Sequence, residues 1–121
     1  MKSNYYIAKS LNDVKAVIKA CKETGYCCYD FETNGEPLYK KTFTPTLLSI
    51  CFQPGSAVAI PLDHFERDDY TDGFDWKKAL LMIGKQLMRE KSIVKIGQNI
   101  KFDNQIWLLY GIDPQGTLLD T

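Results

Sequence analysis

The segment Tyr26–Glu32, "YCCYDFE", constrains the fold of this chain more than any other. It is apolar until its acidic end, which is typical of a central strand covered on both faces of a sheet. Successive side chains of a strand point to opposite faces, so Asp30 and Glu32 project together and Phe31 projects away from them. Two neighbouring anions raise each other's pKa unless a cation lies between them, and Mg²⁺ is the simplest candidate. The alternative is that both acids are solvated at a wet strand end.

Length and hydrophobic content predict one domain over residues 1–121. The chain has 121 residues, of which 45% are hydrophobic, and this suits a single core. Its 15 basic residues balance its 15 acidic ones, so it lacks the overall basic field of a free-standing nucleic-acid binder. No apolar run approaches the roughly 20 residues that span a bilayer, and the start lacks the apolar core of a secretion signal. We expect a soluble, cytoplasmic protein with no membrane partner.

The cysteines do not predict a metal site. Cys21, Cys27, Cys28 and Cys51 contain no CxxC pair, and His64 is the only histidine. A zinc site is therefore not expected. We expect four reduced cysteines in the core of a cytosolic protein.

Hydrophobic periodicity predicts a first helix and a hairpin. "YYIA" can form a short strand, and Ser10 is a credible N-cap for an amphipathic helix that ends at Gly25. "TLLSICF" and "AVAIPL" follow the acidic strand and the polar loop "TNGEPLYKKTFTP". Because only the tight turn "QPGS" separates them, these two segments form an antiparallel hairpin whose first strand pairs with "YCCYDFE".

The second half predicts two helices alternating with two strands. The irregular acidic stretch "DHFERDDYTDGFD" reads as a surface loop, and Trp76, Leu80, Ile83 and Leu87 then mark an amphipathic helix. "SIVKIG" is a strand, "FDNQIWLLYG" a helix and "TLLDT" the beginning of another strand. Right-handed crossovers place the last two strands parallel to the acidic strand. The predicted fold is therefore α/β, with a ribonuclease H-like mixed sheet and flanking helices.

A third acid is expected near the first two. In "KIGQNIKFD", a strand, a turn and the beginning of a helix lead to Asp103. This strand lies beside "YCCYDFE" in the predicted sheet, so Asp103 can reach the pocket of Asp30 and Glu32. An Asp in a first helical turn is as readily explained by the helix dipole.

The acidic strand and the later segment with Asp103, taken together, resemble a known family. "YDFETNG", "GQNIKFDNQIWLLYGI" and "LLDT" resemble the first two motifs of the 3′–5′ proofreading exonuclease domain of family A DNA polymerases, from about Tyr5 to Thr121. The resemblance implies hydrolysis of the 3′-terminal phosphodiester of DNA with two divalent ions, Mg²⁺ or Mn²⁺. It makes Asp30, Glu32 and Asp103 the catalytic and metal-binding residues, with Asp30 bridging both ions.

The same resemblance assigns a nucleic-acid surface. Thr33, Gln98 and Asn99 fall at positions that contact the terminal nucleotides, although strand-end capping by Thr33 and turn hydrogen bonding by Asn99 explain these residues equally well. Leu38 is a candidate apolar wedge beside the terminal bases. Three lysines either contact phosphates or are simply solvated, namely Lys40, Lys41 and Lys101.

The third motif of that domain, a Tyr and an Asp on a later helix, has no counterpart here. We therefore expect the front part of a longer, C-terminally incomplete exonuclease domain that belongs to a polymerase chain of a bacterium or phage. We expect weak or absent turnover, low-affinity Mg²⁺ or Mn²⁺ binding, and possible self-association through exposed apolar surface. Two alternatives stay open: a catalytically inert interaction module, and a ribonuclease D-like RNA exonuclease.

Overall fold

A mixed sheet of six strands organises the part of the chain that the computed structural model describes, residues 4–63 and 74–121. The elements are β1 (Asn4–Ile7), α1 (Leu11–Thr24), β2 (Tyr26–Thr33), β3 (Pro45–Gln53), β4 (Ser56–Pro61), α2 (Trp76–Ile83), a π-helical turn (Gly84–Met88), β5 (Val94–Gly97), α3 (Ile100–Leu109) and β6 (Leu118–Asp120). The predicted elements are thus present, with ends shifted by a few residues. Most of the acidic stretch before Trp76, with His64, lies outside the described residues.

The strands run in the order β1-β4-β3-β2-β5-β6. The β3–β4 hairpin is antiparallel and β3 pairs with β2, while β5 lies parallel to β2 and β6 parallel to β5. These pairings confirm the predicted mixed sheet. The first strand, which the sequence left unplaced, lies parallel to β4 at the edge of the sheet.

Helix α1 forms as its termini predict. The Ser10 hydroxyl accepts a hydrogen bond from the N–H of Asp13 at 3.3 Å, and Gly25, at φ 85°, donates its N–H to Cys21 at 2.9 Å. Only glycine adopts that left-handed conformation without a Cβ penalty. Between these caps, α1 buries Val14, Val17, Ile18 and Cys21 against the sheet.

The described helices cover one face of β2 and leave the other open. Cys27, Tyr29 and Phe31 are buried, whereas Cys28 is half-buried and Asp30 is exposed. The expectation of a strand covered on both faces is therefore wrong for the described residues, because the acids and Cys28 alternate with the core residues. We call the face of Cys28, Asp30 and Glu32 the open face.

The cysteines follow the same alternation. All four are free thiols, and Cys21 and Cys27 are buried as predicted. Cys28 and Cys51 are only half-buried, so the prediction of four core cysteines is wrong for this pair. The reason is register, because Cys28 lies opposite Cys51 and both belong to the open face. In residues 4–63 and 74–121, no helix is both long enough and apolar enough to cross a membrane.

Lys95 on β5 is fully buried and joins two loops. Its Nζ donates hydrogen bonds to the backbone carbonyls of Glu90 and, at 2.6 Å, Gln115. Its backbone N–H also donates to the carbonyl of Thr117 at 2.9 Å. Burial lowers the pKa of Lys95 because it disfavours the charged form. The side chain thereby fixes the segments that lead into β5 and β6.

We predict that Lys95→Met lowers the free energy of unfolding by about 2 kcal/mol, because two backbone carbonyls lose their donor while an apolar side chain of similar length is kept. Urea unfolding measures this change. Lys15→Met on the exposed surface of α1 is the control and should change stability by less than about 0.5 kcal/mol. A Lys95→Met variant as stable as the parent would show that the two hydrogen bonds only offset the cost of burying the charge.

Candidate metal and nucleic-acid site

The site begins where β5 ends and β2 continues. The last β2–β5 pair is Cys28 with Ile96, and beyond it β2 extends to Thr33 with β3 as its one strand neighbour among the described residues. Gly97 allows this close ending, since a Cβ there would lie 3.2 Å from the carbonyl oxygen of Tyr29. The backbone N–H groups at the end of β2 that face away from β3 are therefore free to bond to something other than a strand.

Helix α3 enters this gap through a tight turn. Gln98 and Asn99 form the turn, and Asn99 takes the left-handed conformation at φ 53°, which asparagine tolerates better than most residues. Asp120 at the end of β6 accepts a hydrogen bond from the N–H of Ile100 at 3.4 Å. Asp120 thus caps the start of α3.

Asp103, in the first turn of α3, is buried at 3% exposure. Its carboxyl group accepts a hydrogen bond from the backbone N–H of Phe31 on β2. The Oδ2 atom is buried and has no hydrogen-bond partner among the described residues. Burial and then the charge of Asp30, with a smaller effect of Glu32, raise the pKa of Asp103 to about 7, although the Phe31 N–H opposes the shift.

Aromatic packing sets the position of α3. The fully buried Trp107 ring lies edge-on to Tyr29 and Phe31, with ring centroids 6.4 and 5.1 Å apart. The Tyr29 hydroxyl donates to Oδ1 of Asn104 at 2.5 Å. Burial raises the pKa of Tyr29 far above its usual value, so this hydroxyl remains a donor. Sequence reasoning missed Asn104, although its place directly after Asp103 was a usable signal.

Asp30 and Glu32 are exposed on the open face, opposite Ser49 and Leu47 of β3. The β2–β3 register shifts between Glu32 and Thr33, and such bulges re-aim side chains at the end of a strand. The charges of both acids reach Asp103. Within residues 4–63 and 74–121, however, no group of three His, Cys, Asp or Glu side chains is arranged to hold a metal ion.

The donor set nevertheless fits a hard divalent cation. All three side chains offer carboxylate oxygens, which Mg²⁺ and Mn²⁺ prefer. The unpartnered Oδ2 of Asp103 and the mutual repulsion of the acids are both relieved by a positive charge at this position. The charges of Asp30 and Glu32 therefore act on Asp103, but the three side chains are not arranged as a three-ligand cluster.

The predicted nucleotide-contacting residues differ in their availability. Gln98 and Asn99 are exposed, and Asn99 makes no capping hydrogen bond with its side chain. Thr33 is half-buried, and its hydroxyl accepts a hydrogen bond from the N–H of Gly35 at 3.1 Å. Thr33 therefore has the strand-end capping role that its alternative explanation gave it, whereas Gln98 and Asn99 present exposed side-chain amides.

The Asn34 side chain links the two ends of the loop after Thr33. Asn34 donates to the carbonyl of Thr42 at 2.7 Å and accepts from the N–H groups of Glu36 and Thr44. Leu38 is half-buried against the core, a position that does not favour the predicted role of an apolar wedge. Three lysines that the resemblance offered as phosphate contacts are exposed, namely Lys40, Lys41 and Lys101. The Nζ atom of Lys40 lies 4.0 Å from Oε2 of Glu36.

A family model described as "3′-5′ exonuclease" matches residues 5–121. The chain belongs to this 3′–5′ exonuclease family. The match confirms the resemblance that the two acidic motifs indicate.

Solved exonuclease structures share the fold. The EXO domain of Nibbler from Aedes aegypti superposes with a TM-score of 0.68 at 9% identity, and this superposition covers 97% of the present chain and 52% of the Nibbler chain. RNase D from Escherichia coli gives 0.67 at 19% identity, with 97% and 27% covered. RNase D from Trypanosoma brucei in complex with RNA U12 gives 0.64 at 15% identity, with 98% and 38% covered. These likenesses confirm the ribonuclease H-like exonuclease fold, and the chain spans about half of these proteins or less.

We predict that the ionisation of Asp103 destabilises the fold when chelator removes metal ions. The folded pKa of Asp103, about 7, lies above its unfolded value. The stability that goes with the neutral carboxyl group is therefore fully present below the unfolded pKa and is lost as the pH rises through 7. Asp103→Asn keeps an acceptor for Phe31 and should be more stable than the parent at pH above about 7, with the difference shrinking toward about pH 4. Thermal unfolding across this pH range measures the effect.

Asp113→Asn, at an exposed position, is the matched control and should follow the parent at every pH. A parent and an Asp103→Asn variant with parallel pH profiles would contradict the buried, charge-crowded position of Asp103.

Proposed function

We propose that this chain supplies the metal-binding acids of a proofreading 3′–5′ exonuclease that acts on the 3′ end of DNA within a polymerase. Membership of the 3′–5′ exonuclease family supports the reaction class. The observation that carries the proposal is the buried Oδ2 atom of Asp103, which has no partner in the described residues and lies within the electrostatic reach of Asp30 and Glu32.

Each acid has a distinct part in this proposal. Asp30 and Glu32, both exposed, would hold cations from the open face, and Asp103 would hold them from the gap between β2 and α3. When bound, a pair of divalent ions would lower the pKa of the attacking water and stabilise the leaving 3′ oxygen. The Phe31 N–H and the Trp107 contacts keep the Asp103 carboxyl in place before any substrate arrives.

The charge of the chain is consistent with this arrangement. A formal net charge of zero supplies no general attraction for phosphates. Cations held by three acids would supply that attraction only at the scissile bond. The exposed amides of Gln98 and Asn99, in the turn that leads to α3, would then contact the terminal nucleotides.

The preference for DNA rests on sequence. The segment Gly97-Gln98-Asn99 before "KFD" resembles the polymerase type more than the ribonuclease D type. The second candidate, an RNA 3′ exonuclease, is favoured by the likeness to RNase D, including the RNase D solved with RNA. A bacterial or phage cytoplasm remains the expected location.

We expect weak turnover from the 121-residue chain itself. The three acids supply part of the ligand set that the family resemblance implies, and the described residues do not arrange three ligands around one point. Low-affinity cation binding and slow hydrolysis follow from an incomplete ligand shell.

We predict that millimolar Mn²⁺ raises the melting temperature of the chain by a few degrees, because the ion binds the folded state and relieves the repulsion of the acids. Asp30→Asn should abolish the shift, since Asp30 is the proposed shared ligand. Asp113→Asn should retain it. Equal shifts in both variants would place the binding of Mn²⁺ elsewhere.

We predict that the chain binds a linear single-stranded DNA more tightly than the same sequence closed into a circle, because the proposed site takes a free 3′ end. Asn99→Ala should weaken binding of the linear strand about tenfold, a loss of about 1.4 kcal/mol. Gln86→Ala, also exposed but remote in sequence, is the control. Fluorescence anisotropy in Ca²⁺ measures these affinities.

A matched RNA strand separates the candidates. Tighter binding of RNA than DNA would favour the RNA exonuclease, and equal binding of circular and linear strands would favour an inert interaction module.

A further inference from the structure

The open face carries a pair of thiols directly opposite each other. Cys28 on β2 and Cys51 on β3 are register partners in the antiparallel β2–β3 ladder. Side chains of such partners lie on the same face with Cβ atoms about 4.5 to 5.5 Å apart. A disulfide requires about 3.5 to 4.5 Å, so a small approach of the two strands suffices.

Both thiols are accessible, because each is only half-buried on the open face. The Cys51 thiol donates a hydrogen bond to the carbonyl of Gln53 at 2.9 Å. A rotation of the Cys51 side chain about its Cα–Cβ bond would exchange this contact for one with Cys28.

The chain contains an internal comparison. Cys21 and Cys27 are also in contact, but both are completely buried between α1 and β2. An oxidant in solution cannot reach them without local unfolding. The two pairs thus differ in their access to solvent.

We propose that Cys28 and Cys51 form a reversible cross-strand disulfide on exchange with a small-molecule disulfide such as oxidised glutathione. One thiolate attacks the small disulfide, which releases one small thiol and leaves a mixed disulfide on the protein. The second thiolate then attacks the protein sulfur and releases the second small thiol. The protein loses two electrons and two protons, and the small disulfide gains them.

In either order of attack, each cysteine acts once as the nucleophile, and only the thiolate reacts.

The test is exchange of the folded chain with oxidised glutathione, followed by alkylation, proteolysis without reductant and mass spectrometry. We expect an intramolecular link between the peptides of Cys28 and Cys51, reversed by dithiothreitol, with Cys21 and Cys27 recovered as free thiols. Cys21→Ser should leave the link unchanged, and Cys28→Ser should leave only a glutathione adduct on Cys51. The melting temperature of the oxidised chain should be several degrees higher than that of the reduced chain.

Glutathione adducts without the link, or a link between Cys21 and Cys27 in the folded chain, would overturn the proposal. Disulfide-joined dimers on a non-reducing gel would overturn it as well. None of these outcomes depends on whether the chain is a nuclease.

Discussion

The contact between α3 and β2 is the interaction on which the site depends. Trp107 lies edge-on to Tyr29 and Phe31, and Asn104 accepts a hydrogen bond from the hydroxyl of Tyr29. These contacts come from the buried face of β2, whereas Asp30 and Glu32 point to the open face. Helix α3 therefore packs against the buried face of β2 and brings Asp103 to the end of the strand. There the N–H of Phe31 donates a hydrogen bond to its carboxyl group.

The consequence is an electrostatic conflict that the fold maintains. Asp103 is buried, one of its oxygens has no partner in the described residues, and two further acids raise its pKa. Such an arrangement costs stability in the absence of a cation. In the proposed function the same arrangement favours the binding of divalent ions. These ions would attract the phosphates of the nucleic acid, which the protein, with no net positive charge, does not attract by itself.

Much of the fold could be predicted because each element carries a local signal. Ser10 and Gly25 cap α1, and the short turn "QPGS" leaves no geometry but a hairpin for β3 and β4. The alternation of Asp30, Phe31 and Glu32 predicted which acids share a face. Asp103 was found from its place after β5, because the pairing of β5 with β2 follows from right-handed crossovers.

Other features depend on tertiary contacts that no local pattern reports. A lysine is usually found at the surface, yet the backbone carbonyls of Glu90 and Gln115, in the loops before β5 and β6, hold Lys95 in the core. The exposure of Cys28 and Cys51 follows from the described helices covering one face of the sheet, whereas an apolar strand suggests cover on both. The π-helical turn Gly84–Met88 follows α2 where Gly84, which has no side chain, lies against Ile112.

The most direct test of the account is paramagnetic broadening of backbone amide resonances by Mn²⁺ in an NMR titration of this 13.8 kDa chain. The account predicts that substoichiometric Mn²⁺ first broadens the amides of Asp30, Phe31, Glu32 and Asp103, and that Asp30→Asn removes this pattern. Broadening centred elsewhere, or spread evenly over the surface acids, would contradict a cation site between β2 and α3.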